Sequence, residues 1–198
     1  RRILKKVPQQ LDRLKKIGKR RELTDAEVEL QLALCNCTRN YINELIVKAE
    51  EAKRIVRNQE FYDSNKLEWA INTFREVTAT ISLVYAPARI CMPPMETDLS
   101  YKLFMSSEVI EAVHDTQVNI YRDVFETILK PAILAESPEV IGISIVLRQQ
   151  LFSSMTFCAL IKEQFPNIHV TIGGNTVTRL RELLPDTPKL FELFDSAI

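Results

Sequence analysis

The sequence has no excess of charge, no long hydrophobic run and no cysteine cluster. Lysine and arginine together number 26, as do aspartate and glutamate, so the formal net charge is zero. Nucleic-acid binding usually requires a basic excess, so we expect no nucleic-acid partner. No apolar run approaches the ~20 residues that span a bilayer, and no signal peptide precedes the basic start. We therefore expect a chain with a sizeable core and no membrane span.

Lysine and arginine are nevertheless concentrated in the first 21 residues. A solvated face of a terminal helix is a commoner reason for such a run than a nucleic-acid or membrane role. The chain begins without Met and ends on the apolar Ile198, so we expect a fragment of a longer protein.

The four cysteines are Cys35, Cys37, Cys91 and Cys158, and none belongs to a CxxC or CxxxCxxC motif. On a helix, Cys35 and Cys37 point about 200° apart and cannot chelate one metal ion without ligands from elsewhere. We expect a reduced cytoplasmic protein with buried thiols and without an iron–sulfur ligand set of its own. No serine or cysteine has a histidine and an acid at convincing positions for nucleophilic catalysis.

Residues 1–135 have the pattern of a helical segment. Thr24 and Glu27 form a capping-box motif, and an amphipathic stripe predicts one helix from there to about Asn58. A second helix is predicted from about Asn65 until Pro87 ends it, and the two should pack as an antiparallel hairpin. The stripes comprise Val28, Leu32, Cys35, Ile42, Ile46 and Ala49 in the first helix and Leu67, Ala70, Ile71, Phe74, Val77, Ile81 and Val84 in the second.

A connector with several prolines follows at residues 86–105. It contains Pro87, Pro93 and Pro94. A short helix from Ser106 to His114 comes next, and another begins near Asn119, with Pro131 placed to kink it.

The pattern changes at Pro138. Residues 140–146 form a short apolar run rich in β-branched residues, typical of a strand buried on both faces of a parallel sheet. A helix at about 151–165, a strand at 169–172, two short helices and a third strand from Phe194 complete the pattern. We predict an α/β protein: a helical segment at 1–135, then a partial flavodoxin-like parallel sheet with flanking helices at 136–198.

Ligands of open α/β sheets lie beyond the carboxyl ends of the strands. Here those ends comprise Ser144 through Gln150 and the turn Gly173-Gly174-Asn175. The glycines would let backbone approach a bulky ligand, and Ser144 and Gln150 would donate or accept hydrogen bonds. By spacing alone, an equally good interpretation is that the glycines serve a tight turn and Ser144 bonds locally.

A resemblance favours the ligand interpretation. The segments that show it are Val140-Ile141-Gly142-Ile143-Ser144, Gln150 and the helix closing with Ile161-Lys162, Val170-Thr171-Ile172-Gly173-Gly174-Asn175, and Phe194-Asp195-Ser196. They resemble the second half of the cobalamin-binding domain of B12-dependent radical SAM proteins, most nearly those labelled anaerobic magnesium-protoporphyrin IX monomethyl ester oxidative cyclase. The resemblance covers roughly 60 residues.

In that family the serine and the Gly-Gly flank the nucleotide tail of cobalamin. The resemblance therefore implies a cobalamin site at Ser144, Gly173 and Gly174, with Gln150 and Asn175 as neighbours. It also implies a parent enzyme, an oxidoreductase or methyltransferase, that uses S-adenosylmethionine and a [4Fe–4S] cluster held by a downstream radical SAM domain. The CxxxCxxC motif of that domain is not in this sequence, so we expect the chain not to be catalytic alone.

Two further features depart from the family. The first strand of such a domain, with its Asp-x-His-x-x-Gly loop, has no counterpart in the sequence. His114 and His169 lie outside that motif, and His169 is expected to be a strand histidine rather than a cobalt ligand.

The alternative function is a cofactor-free flavodoxin-like regulatory or interaction domain with a helical dimerisation hairpin. A receiver-type domain would need an acidic pocket, which Asp195 alone does not make. In the flavodoxin-like order the first strand lies between the second and the third. Its loss would therefore leave open strand edges at residues 140–146 and 169–172. The sequence thus predicts either a swapped dimer or a rearranged sheet, with the strand edges or the helix hairpin available to a homodimer.

Overall fold

The computed structural model describes residues 2–92, 96–103 and 105–198, and it divides into two units, Arg1–Asp98 and Leu99–Ile198. Pro93 and Pro94 of the predicted connector lie outside the described residues. The division falls earlier than the boundary placed at 135/136 from sequence. The helices between residues 106 and 136 contribute Val109, Phe125 and Ile133, among others, to the same core as the sheet, and this shared core places them in the second unit.

The first unit is mainly helical. Its elements are α1 Val7–Gly18, α2 Asp25–Asn36, α3 Arg39–Arg57, α4 Ser64–Ser82 and an antiparallel pair of short strands, β1 Arg89–Cys91 and β2 Glu96–Asp98. Its main core is formed by Leu4, Val7, Leu14, Leu34, Ile42, Leu45 and Ile46.

The predicted continuous helix from Thr24 to Asn58 is wrong, because the chain breaks at Cys37-Thr38. Thr38 is extended (φ −62°, ψ 163°) and its Oγ1 accepts a hydrogen bond from the Tyr41 amide at 3.2 Å. A threonine N-cap thus starts α3 without help from glycine or proline.

The start of α2 has the predicted capping box. The Glu27 amide donates to Thr24 Oγ1 at 3.3 Å, and the Thr24 amide donates to Glu27 Oε2 at 2.9 Å. The predicted buried face of α2 is wrong, since Leu32 is 63% exposed whereas Leu34 is buried. The break at Thr38 removes the phase relation between the two helices on which that stripe depended.

Helices α3 and α4 pack antiparallel. Tyr41 at the start of α3 hydrogen-bonds through its hydroxyl to Thr80 near the end of α4, at 3.2 Å. Ile55 at the end of α3 shares a small core with Ala70 in the first half of α4. These two contacts, at opposite ends of the pair, fix the direction.

The second unit begins with helices that share one hydrophobic core with its sheet. They are α5 Ser106–His114, α6 Ile120–Val124, a π-helical turn Phe125–Leu129 and α7 Lys130–Glu136. The π turn ends two residues before Pro131, which cannot donate a backbone hydrogen bond. Asn119 caps α6 and is buried, and its Nδ2 donates to the Val113 carbonyl at 2.9 Å and to Thr156 Oγ1 at 3.0 Å.

The sheet of this unit has three parallel strands in the order β3-β4-β5. Its elements are β3 Val140–Ser144, α8 Leu151–Gln164, β4 His169–Gly173, α9 Asn175–Leu180, two 3₁₀ turns (Leu184–Asp186 and Pro188–Glu192) and β5 Ser196–Ala197. The chain is therefore mixed α/β with a three-stranded parallel sheet and flanking helices, which confirms that part of the predicted fold.

Along β3, only one of the two faces of the sheet is covered. Ile141 and Ile143 pack against the core that α8 completes, whereas Val140, Gly142 and Ser144 are exposed. The prediction that this strand is buried on both faces is wrong. An uninterrupted apolar run does not distinguish an edge strand with one open face from a central one.

No helix in the described ranges is long and apolar enough to cross a membrane.

Candidate functional site

The predicted site residues lie at one end of the sheet, around the carboxyl ends of β3 and β4. Ser144 is paired with Gly173 in the parallel register. Beyond that pair, the Ile145 amide donates to the Gly173 carbonyl at 2.7 Å and the Thr176 amide donates to the Ile145 carbonyl at 3.0 Å. The two segments that follow the strands are thereby tied together.

Gly174 has a conformation that favours glycine. Its φ is 97°, and a Cβ there would lie 2.8 Å from the Ile145 carbonyl oxygen and 2.9 Å from its nitrogen. The turn therefore needs glycine for the protein's own backbone contact, before any ligand is considered.

Gly173 also faces another part of the chain. A Cβ on Gly173 would lie 3.0 Å from Ile198 Cγ1 and 3.3 Å from the Ile198 carbonyl oxygen. Space beside this glycine is thus partly taken by the residue that follows β5.

Gln150 closes the loop after β3. Its Oε1 accepts hydrogen bonds from the Val146 amide at 2.8 Å and the Leu147 amide at 3.0 Å. The side-chain oxygen is therefore used inside the protein, while its amide NH₂ group has no partner among the described residues. Only that NH₂ group is left to donate to a ligand.

Ser144 and Asn175 are the two site residues with open side chains. Both are exposed, and neither side chain forms a hydrogen bond within the part of the chain that is described. A serine hydroxyl and an asparagine amide can each donate and accept. The two side chains form a polar surface that can bind a ligand but contains no acid–base pair.

Thr176 is a site residue that the sequence analysis missed. Its Oγ1 donates to the Val146 carbonyl at 3.0 Å, a second link between the two segments. A threonine in the first turn of a helix after Gly-Gly is the signal that could have indicated it.

Asp195 and His169 lie at the opposite, amino-terminal end of the sheet. Asp195 accepts hydrogen bonds from Lys162 Nζ at 2.6 Å and from the Val170 amide at 2.7 Å. The Lys162 hydrogen bond, followed by that of Val170, holds the pKa of Asp195 below its ordinary value. His169 Nε2 lies 2.9 Å from Ser196 Oγ. These contacts link α8, β4 and β5. Neither Asp195 nor His169 belongs to the predicted site, which lies at the carboxyl ends of the strands.

The thiols are only partly as expected. Cys158 is buried, and burial raises the pKa of its thiol to about 12. Cys35 and Cys91 are exposed, so the prediction of buried thiols is wrong for them. Among the described residues, no group of three or more His, Cys, Asp or Glu side chains could hold a metal ion.

A separate pocket lies on α1 in the first unit. It is lined by Gln9, Asp12, Arg13, Lys16, Ile17 and Arg20. The basic residues of this helix are exposed, whereas Leu14 is buried. This pocket shares no residue with the predicted site.

No family model matches the chain, and no curated protein or solved structure was found to be similar to it.

Proposed function

We propose that the second unit is a cobalamin-binding-type module from a multidomain radical SAM enzyme. The observation that supports this most is the pairing of Ser144 with Gly173 at the carboxyl ends of neighbouring parallel strands. Ligands of open α/β sheets bind at that end of the strands. The sequence resemblance assigns the nucleotide tail of cobalamin to the same positions.

The residues present fit this role in part. In the proposal, the Ser144 hydroxyl, the Asn175 amide and the NH₂ group of Gln150 would hydrogen-bond polar groups of the tail. Gly173 and Gly174 contribute by holding the turn against Ile145 and Ile198, not by leaving an empty cleft. Binding and orientation are therefore the tasks of this chain in the proposal.

The parent enzyme would act in the cytoplasm as an oxidoreductase or methyltransferase. Cobalamin, S-adenosylmethionine and a [4Fe–4S] cluster in a downstream domain would supply its radical chemistry. A reaction like that of magnesium-protoporphyrin IX monomethyl ester oxidative cyclase and methyl transfer to another substrate are both consistent with the resemblance.

The strand order supports a flavodoxin-like relationship with one correction. The first strand was expected between β3 and β4, but these pair directly. The order β3-β4-β5 corresponds instead to the last three strands of the order 2-1-3-4-5, in which the first strand pairs with the third. Its place would then be the free edge of β3, next to Ser144.

A cofactor-free interaction domain is the second candidate. It is favoured because two of the predicted site residues make contacts within the chain itself. Gly174 contacts Ile145, and the Gln150 side-chain oxygen accepts hydrogen bonds from two loop amides. In this reading the turn is structural only.

Titration with hydroxocobalamin, followed by equilibrium dialysis and visible spectra, tests the proposal. Ser144→Leu should raise the dissociation constant at least about tenfold by removing a hydrogen bond and placing bulk at the strand end. Ser107→Leu on the exposed surface of α5 is the matched control and should leave binding unchanged. Gly174 is unsuitable for this test, because a side chain there would collide with Ile145.

Saturable binding that is weakened only by Ser144→Leu supports the cobalamin module. A folded wild-type chain that does not bind, or equal binding by both variants, contradicts it and favours the interaction domain.

A further inference from the structure

The outer edge of β3 has unpaired backbone groups. The His169 amide donates to the Glu139 carbonyl at 2.9 Å, and the Ile145 amide donates to the Gly173 carbonyl at 2.7 Å. The backbone N–H and C=O groups of the odd-numbered residues therefore point toward β4. Those of Val140, Gly142 and Ser144 point the other way, toward the outer edge. No described residue pairs with them.

This edge lacks charge, proline and a bulge, three of the usual protections against pairing. Edge strands are commonly shielded by lysine, proline or a bulge. The strand Val140–Ser144 contains no charged residue and no proline, and its register with β4 is continuous. An exposed, uncharged edge of this kind is a template for another strand.

We propose that a second copy of this chain pairs with β3 along this edge, in an antiparallel arrangement centred on Gly142. Gly142 then lies opposite its own copy, and Val140 lies opposite Ser144 on each side. Each of these residues presents its N–H and C=O groups to its partner, which satisfies the free edge on both copies. In a complete flavodoxin-like domain the first strand would occupy this edge, so the pairing is proposed for this chain on its own, and its test is separate from the cobalamin titration.

The pairing has natural limits at both ends. Pro138 has no N–H, and the Val146 amide already donates to Gln150 at 2.8 Å. The register centred on Gly142 uses all the free groups between these two residues. A shift by two residues would place a strand residue opposite Pro138.

Charge favours the antiparallel arrangement over a parallel one. Glu136 and Glu139 precede β3 and Arg148 follows it, and all three are exposed and form no ion pair with any described residue. Antiparallel pairing places the acidic start of one strand beside the basic end of the other. Parallel pairing would place like charges side by side.

Exposed apolar side chains flank the same edge. Val140 is 58% exposed and Val146 is 50% exposed, and alternation places both on the open face of the sheet. In the proposed register Val140 is a diagonal neighbour of Val146 from the other copy. Diagonal neighbours contact each other across antiparallel strands, so pairing covers both valines.

The test is the molar mass of the purified chain by light scattering over a wide concentration range. We expect a concentration-dependent dimer. Gly142→Pro removes an outward N–H and should raise the dimer dissociation constant at least about tenfold, since edge strands tolerate proline where the N–H faces solvent. Gly142→Ala is the matched control, because its Cβ would lie an ordinary 3.7 Å from Thr171 Cγ2 and its N–H remains.

A charge exchange gives a second test if the proline variant does not fold. Arg148→Glu should weaken the dimer, and adding Glu136→Arg should restore it, since residue 136 lies opposite residue 148 in this register. A monomer at all concentrations overturns the proposal. If the amides of Val140, Gly142 and Ser144 are then protected from hydrogen exchange, the edge is closed within the chain, and if they exchange rapidly it has no partner. Equal dimerisation of the Pro and Ala variants also overturns it.

Discussion

A Cβ on Gly174 would lie 2.8 Å from the carbonyl oxygen of Ile145, closer than side chains approach backbone in folded proteins. Gly174 also has a φ of 97°, in the region that favours glycine. The glycine that the resemblance assigns to cofactor binding is thus needed first by the fold. Evidence for a ligand must come from the neighbours that have free side chains, Ser144 and Asn175.

Gly174→Ala should destabilise the second unit by about 1–3 kcal/mol, because the backbone must move away from Ile145 and adopt a strained φ. Urea denaturation followed by circular dichroism measures the change. Gly142→Ala, where the added Cβ meets only Thr171 Cγ2 at 3.7 Å, should change the free energy of unfolding by less than about 0.5 kcal/mol. Similar losses in both variants would contradict the assigned role of Gly174.

Asp195 should make stability depend on pH in the acidic range. Its pKa in the folded protein is lowered from the ordinary 3.8 by the Lys162 and Val170 hydrogen bonds. A depressed carboxyl pKa adds stability above the ordinary value, and this is lost as the pH falls through the folded-state pKa. Asp195→Asn should therefore cost about 1 kcal/mol at neutral pH, and the difference from wild type should shrink below pH 3.8.

Denaturation of wild type and variant at several pH values measures this difference. Asp186→Asn is the control, because Asp186 is exposed and forms no ion pair with a described residue. If the Asp195→Asn difference grew on acidification, the direction of the pKa shift would be wrong.

The thiols should react in two classes. Cys35 and Cys91 are exposed, whereas Cys158 is buried and its pKa is raised to about 12. Alkylation at mildly basic pH should modify Cys158 at least about 100-fold more slowly than Cys35, since only thiolate in contact with solvent reacts. Peptide mapping by mass spectrometry measures the rates. Fast modification of Cys158 in the folded chain would contradict its burial.

Much of the sheet could be predicted from local sequence. The apolar runs at Val140–Ser144 and His169–Gly173, separated by a helix, require a crossover and so a parallel pair. The position of a strand within a sheet could not be predicted this way, because burial on the second face depends on elements elsewhere in the chain. Val140 is as apolar as a core residue but is 58% exposed.

The helical part shows a similar limit. The stripe through α2 and α3 continues in sequence, but Thr38 caps a new helix and changes the direction of the chain. Threonine occurs inside helices as well as at their starts, so its capping role depends on tertiary packing. Of the site, the sequence predicted which residues follow the strands. It left open whether Gly174 serves the turn or a ligand, and it could not predict that the Gln150 oxygen would bind the amides of its own loop.

The most direct test of the proposed function is hydrogen exchange of the whole chain with and without hydroxocobalamin. A cobalamin site at these strand ends should slow exchange in segments 145–150 and 173–178, which follow β3 and β4, and leave α1 unchanged. Protection confined to other segments, or identical exchange with and without hydroxocobalamin at saturating concentration, would contradict a cobalamin site at Ser144 and Gly173.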